Sequence, residues 1–204
     1  MAEDGTWGSI RERGLLSTAS LIELFEIPEP QRTLLLTQHR RESVELSHPV
    51  HGRAVVRDQK PLSTSKLEQL LIDMTPSQWI ELLNGFVFFW LDADRLSRLL
   101  NARAYRNRPH VVLTLDTRGL VGAYAKEIRL SHLNSGATPY VRGPRGSTTF
   151  KPISEFRHPR SLRLPPKNVV ELAVPKAVPD ILQYTLLVER WQASTLVEAL
   201  FVRP

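Results

Sequence analysis

Apolar residues recur along this chain first at helical and then at strand spacing. Near the N-terminus Trp7, Ile10 and Arg11 fall on one side of a short helix, with Thr6 as cap and Gly14 as stop. Behind Ser17 or Thr18, Leu21, Leu24 and Phe25 repeat at helical spacing until Ile27-Pro28-Glu29-Pro30 breaks the run. Residues 31–43 are assigned to another helix with a poor apolar face, and residues 47–62 to a loop extended near 53–57. Leu67, Leu70, Leu71 and Met74 form a core stripe at i, i+3, i+4 and i+7. Thr75-Pro76-Ser77-Gln78 is a capping box with proline at the first helical position; its helix carries Trp79, Leu82 and Leu83 and stops at Asn84-Gly85.

After that point the period shortens. FVFFWL (86–91) is the most apolar run and reads as a buried central strand. Asp92 or Asp94 caps a helix over 95–103 with Leu96, Leu99 and Leu100 inward. HVVLTL (110–115) is a strand, Asp116-Thr117 caps a short helical turn, and 128–133 is a strand closed by the turn Asn134-Ser135-Gly136. Residues 168–174 and 184–191 complete the set as two late strands around a proline-bounded turn at Pro175 and Pro179. In the first of them Val169, Glu171 and Ala173 share one face and Val170, Leu172 and Val174 the other, because strand side chains alternate. Glu171 is a carboxylate in an apolar strand, and it needs a solvated position or a donor.

Helices in 1–85 and strands in 86–204 predict a single α+β domain over 1–204, without internal repeat. Composition narrows the class. With 42% hydrophobic and 24% charged residues the chain is that of a soluble globular protein. No window approaches the ~20 apolar residues of a membrane span, and the acidic N-terminus is no signal peptide. The absence of cysteine excludes disulfides, thiol catalysis and thiolate metal sites, and it fits a cytoplasmic protein. His48 and His51 stand three apart but are separated by Pro49 and lack acidic neighbours, so no metal is expected. Glycine-rich phosphate loops, a GxSxG elbow and zinc-finger signatures are all missing.

The formal charge of +6 is concentrated. Between 139 and 168 stand Arg142, Arg145, Lys151, Arg157, Arg160, Arg163 and Lys167 against Glu155 alone; seven minus one equals the entire surplus. With six prolines and two glycines the stretch is a long basic loop, and an anionic partner, nucleic acid first, is the expectation. Arg142, Arg145, Arg157 and Arg160 are the candidate nucleic-acid contacts.

Three blocks carry a resemblance. TWGSIRERGLLS (6–17), FVFFWLDADRL (86–96) and VVELAVPKAVPDIL (169–182) occur in the order and rough spacing of ADP-ribosyltransferase-fold domains, and the last is similar to the glutamate strand of the DNA-modifying toxins called DarT. Together with RDQ (57–59), LNSG (133–136) and RGSTTF (145–150), the set looks closest to an uncharacterised bacterial family of unknown function. The resemblance implies a split β-sheet core with N-terminal helices and an enzyme that uses NAD as substrate, with Glu171 as catalytic carboxylate. It further implies that Arg57, Arg95 and Arg145 are candidates to grip the pyrophosphate and that Phe88, Phe89 and Trp90 offer a stacking face for nicotinamide, although core packing explains at least two of these rings better. The resemblance departs at the start: such folds open on a histidine-bearing strand, and neither strand nor histidine is legible between Met1 and Trp7. The alternative class is a nucleic-acid- or partner-binding domain without catalysis on the same scaffold.

Overall fold

The computed structural model describes residues 1–138, 143–156 and 169–204. It is α+β, with small antiparallel sheets and short helices, and the chain divides into two compact units. One unit gathers Met1–Leu15, Asp92–Ala125 and Val178–Pro204; the other gathers Leu16–Leu91 and Lys126–Ala177. We call them the terminal and the medial unit.

The terminal unit is built on a four-stranded antiparallel sheet whose order is Ala2–Glu3, Pro109–Leu115, Thr185–Gln192, Thr195–Val202. Its central strand buries Val111 and Val112, and Thr185–Gln192 contributes fully buried Val188. Ala2–Glu3 pairs with Val111 and His110, so a strand does precede the first helix, contrary to the sequence expectation. The helix Trp7–Arg13 ends at Gly14, whose φ of +79° suits a residue without a side chain. The exposed edge strand Thr195–Val202 was not foreseen, and neither was its pairing with Thr185–Gln192.

The medial unit holds the second four-stranded antiparallel sheet, in the order Phe86–Phe89, Glu171–Pro175, Arg129–Ser131, Lys151–Pro152. The helix Pro76–Asn84 begins with the foreseen capping box: Thr75 and Gln78 satisfy each other's main-chain N–H groups. Trp79 and Leu83 of that helix, Leu62, Leu67, Phe150 and Ala173 make one core, against which Phe86 and Phe88 pack. A second core joins Ile22, Phe25, Leu35, Leu46, Ala54 and Val56. Its last three residues lie on a hairpin, Val44–His48 with Gly52–Val56: the extended segment expected near 53–57 is its second strand, while the first strand follows the expected helix over 31–43 and runs into the expected loop over 47–62. The helix in fact stops at Thr37. Its weak apolar face could not extend it, whereas Val44-Glu45-Leu46-Ser47-His48 alternates at period two and buries Leu46.

Candidate functional site

Six of the eleven buried polar residues recorded among the described residues fall in one place in the medial unit: Ser131, Ser135, Thr138, Arg145, Thr149 and Glu171. The strand alternation explains how Glu171 arrives there. It opens the strand Glu171–Pro175, pairs with Ser131, and shares a face with Ala173, a member of the Trp79 core. Only 4% of Glu171 is exposed, and both carboxylate oxygens accept from the main-chain N–H of Ser135 at 3.1 Å.

The same turn is gripped from its carbonyl side by Arg145, which is 1% exposed. One terminal nitrogen donates to the Ser135 carbonyl at 3.1 Å and to the Ala137 carbonyl at 3.2 Å; the other donates to Ala137 at 3.2 Å. A carboxylate and a guanidinium therefore hold opposite polar ends of one turn, and at Ser135 they meet main-chain groups that would otherwise be buried and unpaired. Burial pushes the Arg145 pKa down, and the field of Glu171 acts in the opposite sense. The guanidinium lies over the Trp79 ring, 5.9 Å from its centre. Arg145 Nε and Trp79 Nε1 are both buried donors without a hydrogen-bond partner among the described residues.

Neighbouring segments fix Arg145 itself. Its N–H donates to Leu70 and its carbonyl accepts from Ile72, a bridge that runs the arginine loop alongside the end of the helix Thr64–Leu70. Thr149 Oγ1 accepts from the Gly146 N–H at 2.8 Å, and Ser147 donates from its N–H and hydroxyl to Asp73. Those two donors, the hydroxyl foremost, hold the exposed Asp73 carboxyl below its ordinary pKa. An added Cβ at Gly146 would stand 2.1 Å from an Asp73 oxygen, so the close approach needs glycine. Thr138 closes the far side, donating its N–H to Pro61 and accepting from the Ser63 N–H at 2.8 Å.

Phe89 and Trp90 belong to the same unit and are half-buried. Phe89 pairs with Leu172, the last rung of that ladder, so Trp90 stands one residue past it, at the level where Glu171 leads the neighbouring strand. Arg57 also lies in this unit, and its carbonyl accepts from Arg40 Nε at 3.1 Å. Arg95 lies in the terminal unit, at the start of the helix Ala93–Leu100, 3.8 Å from Asp92. Among the candidate arginines Arg145 is turned inward, onto carbonyls rather than toward a phosphate. Arg142, Arg157 and Arg160 lie outside the described residues.

A second buried cation was not anticipated. Arg40 is 8% exposed, and desolvation depresses its pKa to about 10, with Asp58 opposing. It donates to the carbonyls of Leu35 and Arg57 and to Asn84 Oδ1, while Asn84 Nδ2 donates to Leu36. Gln59, of the RDQ block, pairs with both main-chain groups of Arg40. No group of three metal-ligating side chains occurs among the described residues, and His48 and His51 stack on each other at 4.6 Å. No described helix is long and apolar enough to cross a membrane.

Neither a curated protein nor a solved structure matches the chain. A family model does, over residues 1–185, which takes in Glu171, Arg145 and the turn they share. The chain therefore belongs to the Family of unknown function (DUF7002).

Proposed function

We propose that the medial unit carries an ADP-ribosyl transfer site that consumes NAD, with Glu171 as catalytic carboxylate and an anionic acceptor, nucleic acid foremost. The observation that carries this reading is the position of Glu171: a buried acid opening an interior strand, where the ladder to Phe89 ends and half-buried Trp90 begins. Two four-stranded antiparallel sheets with helices ahead of them support an ADP-ribosyltransferase-like fold. In the reaction the bond between nicotinamide and ribose breaks, its electron pair leaving with nicotinamide. An acceptor nucleophile then bonds the ribose carbon and gives up its proton. Positive charge on the ribose is what a fixed carboxylate stabilises, and the Ser135 N–H holds both oxygens of Glu171 in place. Phe89 and Trp90 supply a ring face for nicotinamide. Arg57 is the candidate arginine of the medial unit left for the pyrophosphate, since Arg145 serves the turn that positions Glu171.

A second reading has its own observation. Each recorded side-chain hydrogen bond of Arg145 ends on main chain, as does the Ser135 bond of Glu171, which is how a purely structural clamp in a binding domain would look. Nicotinamide release from NAD, with and without an oligonucleotide acceptor, separates the two. In the first reading Glu171→Gln, which keeps shape and removes charge, lowers turnover by about 10²–10³-fold with the far-UV spectrum unchanged. Equal turnover in that variant removes Glu171 from the chemistry. Oligonucleotide binding without nicotinamide release by the wild type establishes the second reading instead.

A further inference from the structure

We infer that Arg98, Arg103 and Arg106 of the terminal unit form a docking surface for the phosphate backbone of nucleic acid. Residues 95–110 contain Arg95, Arg98, Arg103, Arg106 and Arg108, with no lysine, aspartate or glutamate. The structure divides them. Arg95 stands 3.8 Å from Asp92 and Arg108 stands 3.5 Å from Glu3, so two of the five are met by acids. Arg98, Arg103 and Arg106 are exposed, and no ion pair is recorded for any of them among the described residues.

The backbone beneath the three is held in place. Asn101 donates to Ser97, Ala102 to Leu99, Tyr105 and Arg106 to Ala102, and Arg108 to Tyr105, so the chain keeps turning past the end of the helix Ala93–Leu100. Tyr105 is the anchor: it is 4% exposed, its ring meets His110 edge-on at 5.9 Å, and its carbonyl lies 3.0 Å from a His110 ring nitrogen. With Tyr105 and Leu100 inward, Arg103 and Arg106 flank the anchor on the outside and Arg98 projects from the helix before it. Three exposed guanidinium groups, that of Arg98 steadied by its Nε donating to the Asp94 carbonyl at 3.2 Å, stand close in sequence on this held segment and suit the phosphates of a nucleic acid. The exclusive use of arginine favours phosphate over an acidic protein, because the planar fork meets two phosphate oxygens at once.

This surface names the acceptor class of the reading above and rests on it for nothing else. Binding is measured without NAD, so loss of binding and loss of turnover are separate results. The test is fluorescence anisotropy of a labelled duplex oligonucleotide with the whole chain over a salt series. Arg98→Gln/Arg103→Gln/Arg106→Gln is compared with Arg32→Gln/Arg41→Gln/Lys66→Gln, which removes the same charge from exposed positions of the medial unit. Neutralising three phosphate contacts flattens the slope of log affinity against log salt by about 2.7. The arginine triple is expected to show that change and at least a tenfold loss at low salt, with the control triple close to wild type. Failure of the wild type to bind, equal loss in both triples, or an unchanged slope in the arginine triple each overturns the assignment. Tighter binding of polyglutamate than of the duplex overturns it too, in favour of an acidic protein partner.

Discussion

Replacing Arg145 with methionine tests whether the guanidinium holds the Ser135 turn or merely fills space. Methionine keeps most of the length and apolar volume of the stem, so the change is chiefly the loss of charge and donors. Three bonds disappear, and the buried carbonyl of Ser135 and the half-buried carbonyl of Ala137 lose their recorded side-chain donors. An orphaned buried acceptor costs about 1–3 kcal/mol; Ser135 bears that in full and half-buried Ala137 a smaller share, which brackets the loss at about 1–5. Relief from burying the guanidinium offsets part of this, while Glu171 losing a nearby cation adds to it. The expected net is about 3 kcal/mol in urea unfolding, equivalent to about 6–12 °C in Tm for a chain of this size. Amide exchange at residues 134–138 should rise before the rest of the medial unit opens. The double variant with Glu171→Gln adds a second constraint, because both side chains act on the same turn: the two losses should fall short of additivity by about 1 kcal/mol. A single-variant loss under about 1 kcal/mol, or strict additivity, refutes the clamp.

Two further outcomes follow from local geometry. Gly14 and Gly5 both sit at left-handed φ, but a Cβ at Gly14 would lie 2.4 Å from Pro179 Cα and the Val178 carbonyl, whereas at Gly5 it meets nothing within 4 Å. Gly5→Ala should therefore lose about 1 kcal/mol from conformation alone, and Gly14→Ala about 2 kcal/mol more from main-chain overlap; equal losses in urea melts contradict the clash. Asp73 is held below its ordinary value of 3.8 by Ser147. A carboxyl depressed on folding contributes fully above the unfolded value, and its contribution fades as pH falls through the folded one. Exchange protection of the Ser147 N–H should thus hold at neutral pH and weaken below about 3.8. Asp73→Asn should show weakened protection at every pH; the same acid dependence in that variant assigns the effect elsewhere.

Much of this architecture was legible because several local signals agreed. The helix Pro76–Asn84 announces itself by proline, capping box and apolar stripe together, and the strand read over 168–174 overlaps the observed Glu171–Pro175. The first strand of the hairpin, Val44–His48, was obscured because Arg40, Arg41 and Glu42 before it suit a helix surface, and the period-two run is only five residues long. Thr195–Val202 gave still less warning. Glu198, Ala199 and Leu200 are good helix formers, and an edge strand exposed along most of its length shows no inward–outward contrast. The site residues split in the same way. Glu171 stood out as a charge in an apolar strand, while Ser135, Thr138 and Thr149 are ordinary loop residues whose burial comes entirely from tertiary packing.

Arginine shows most sharply where sequence stops. Arg145 belongs to the most basic stretch of the chain, and counting charge assigns it to an external partner; the fold instead draws it against Trp79 and spends its donors on two carbonyls. Arg98, Arg103 and Arg106 come from a stretch whose local excess is masked in the total by acids elsewhere, yet they are exposed to solvent. A formal surplus of +6 does not distinguish these cases, since burial and not count decides whether a guanidinium is a scaffold or a contact. For the same reason, neutralising Arg145 weakens any anion binding indirectly, through the turn. A binding defect in such a variant is evidence for a contact only if the protein's melting temperature is unchanged.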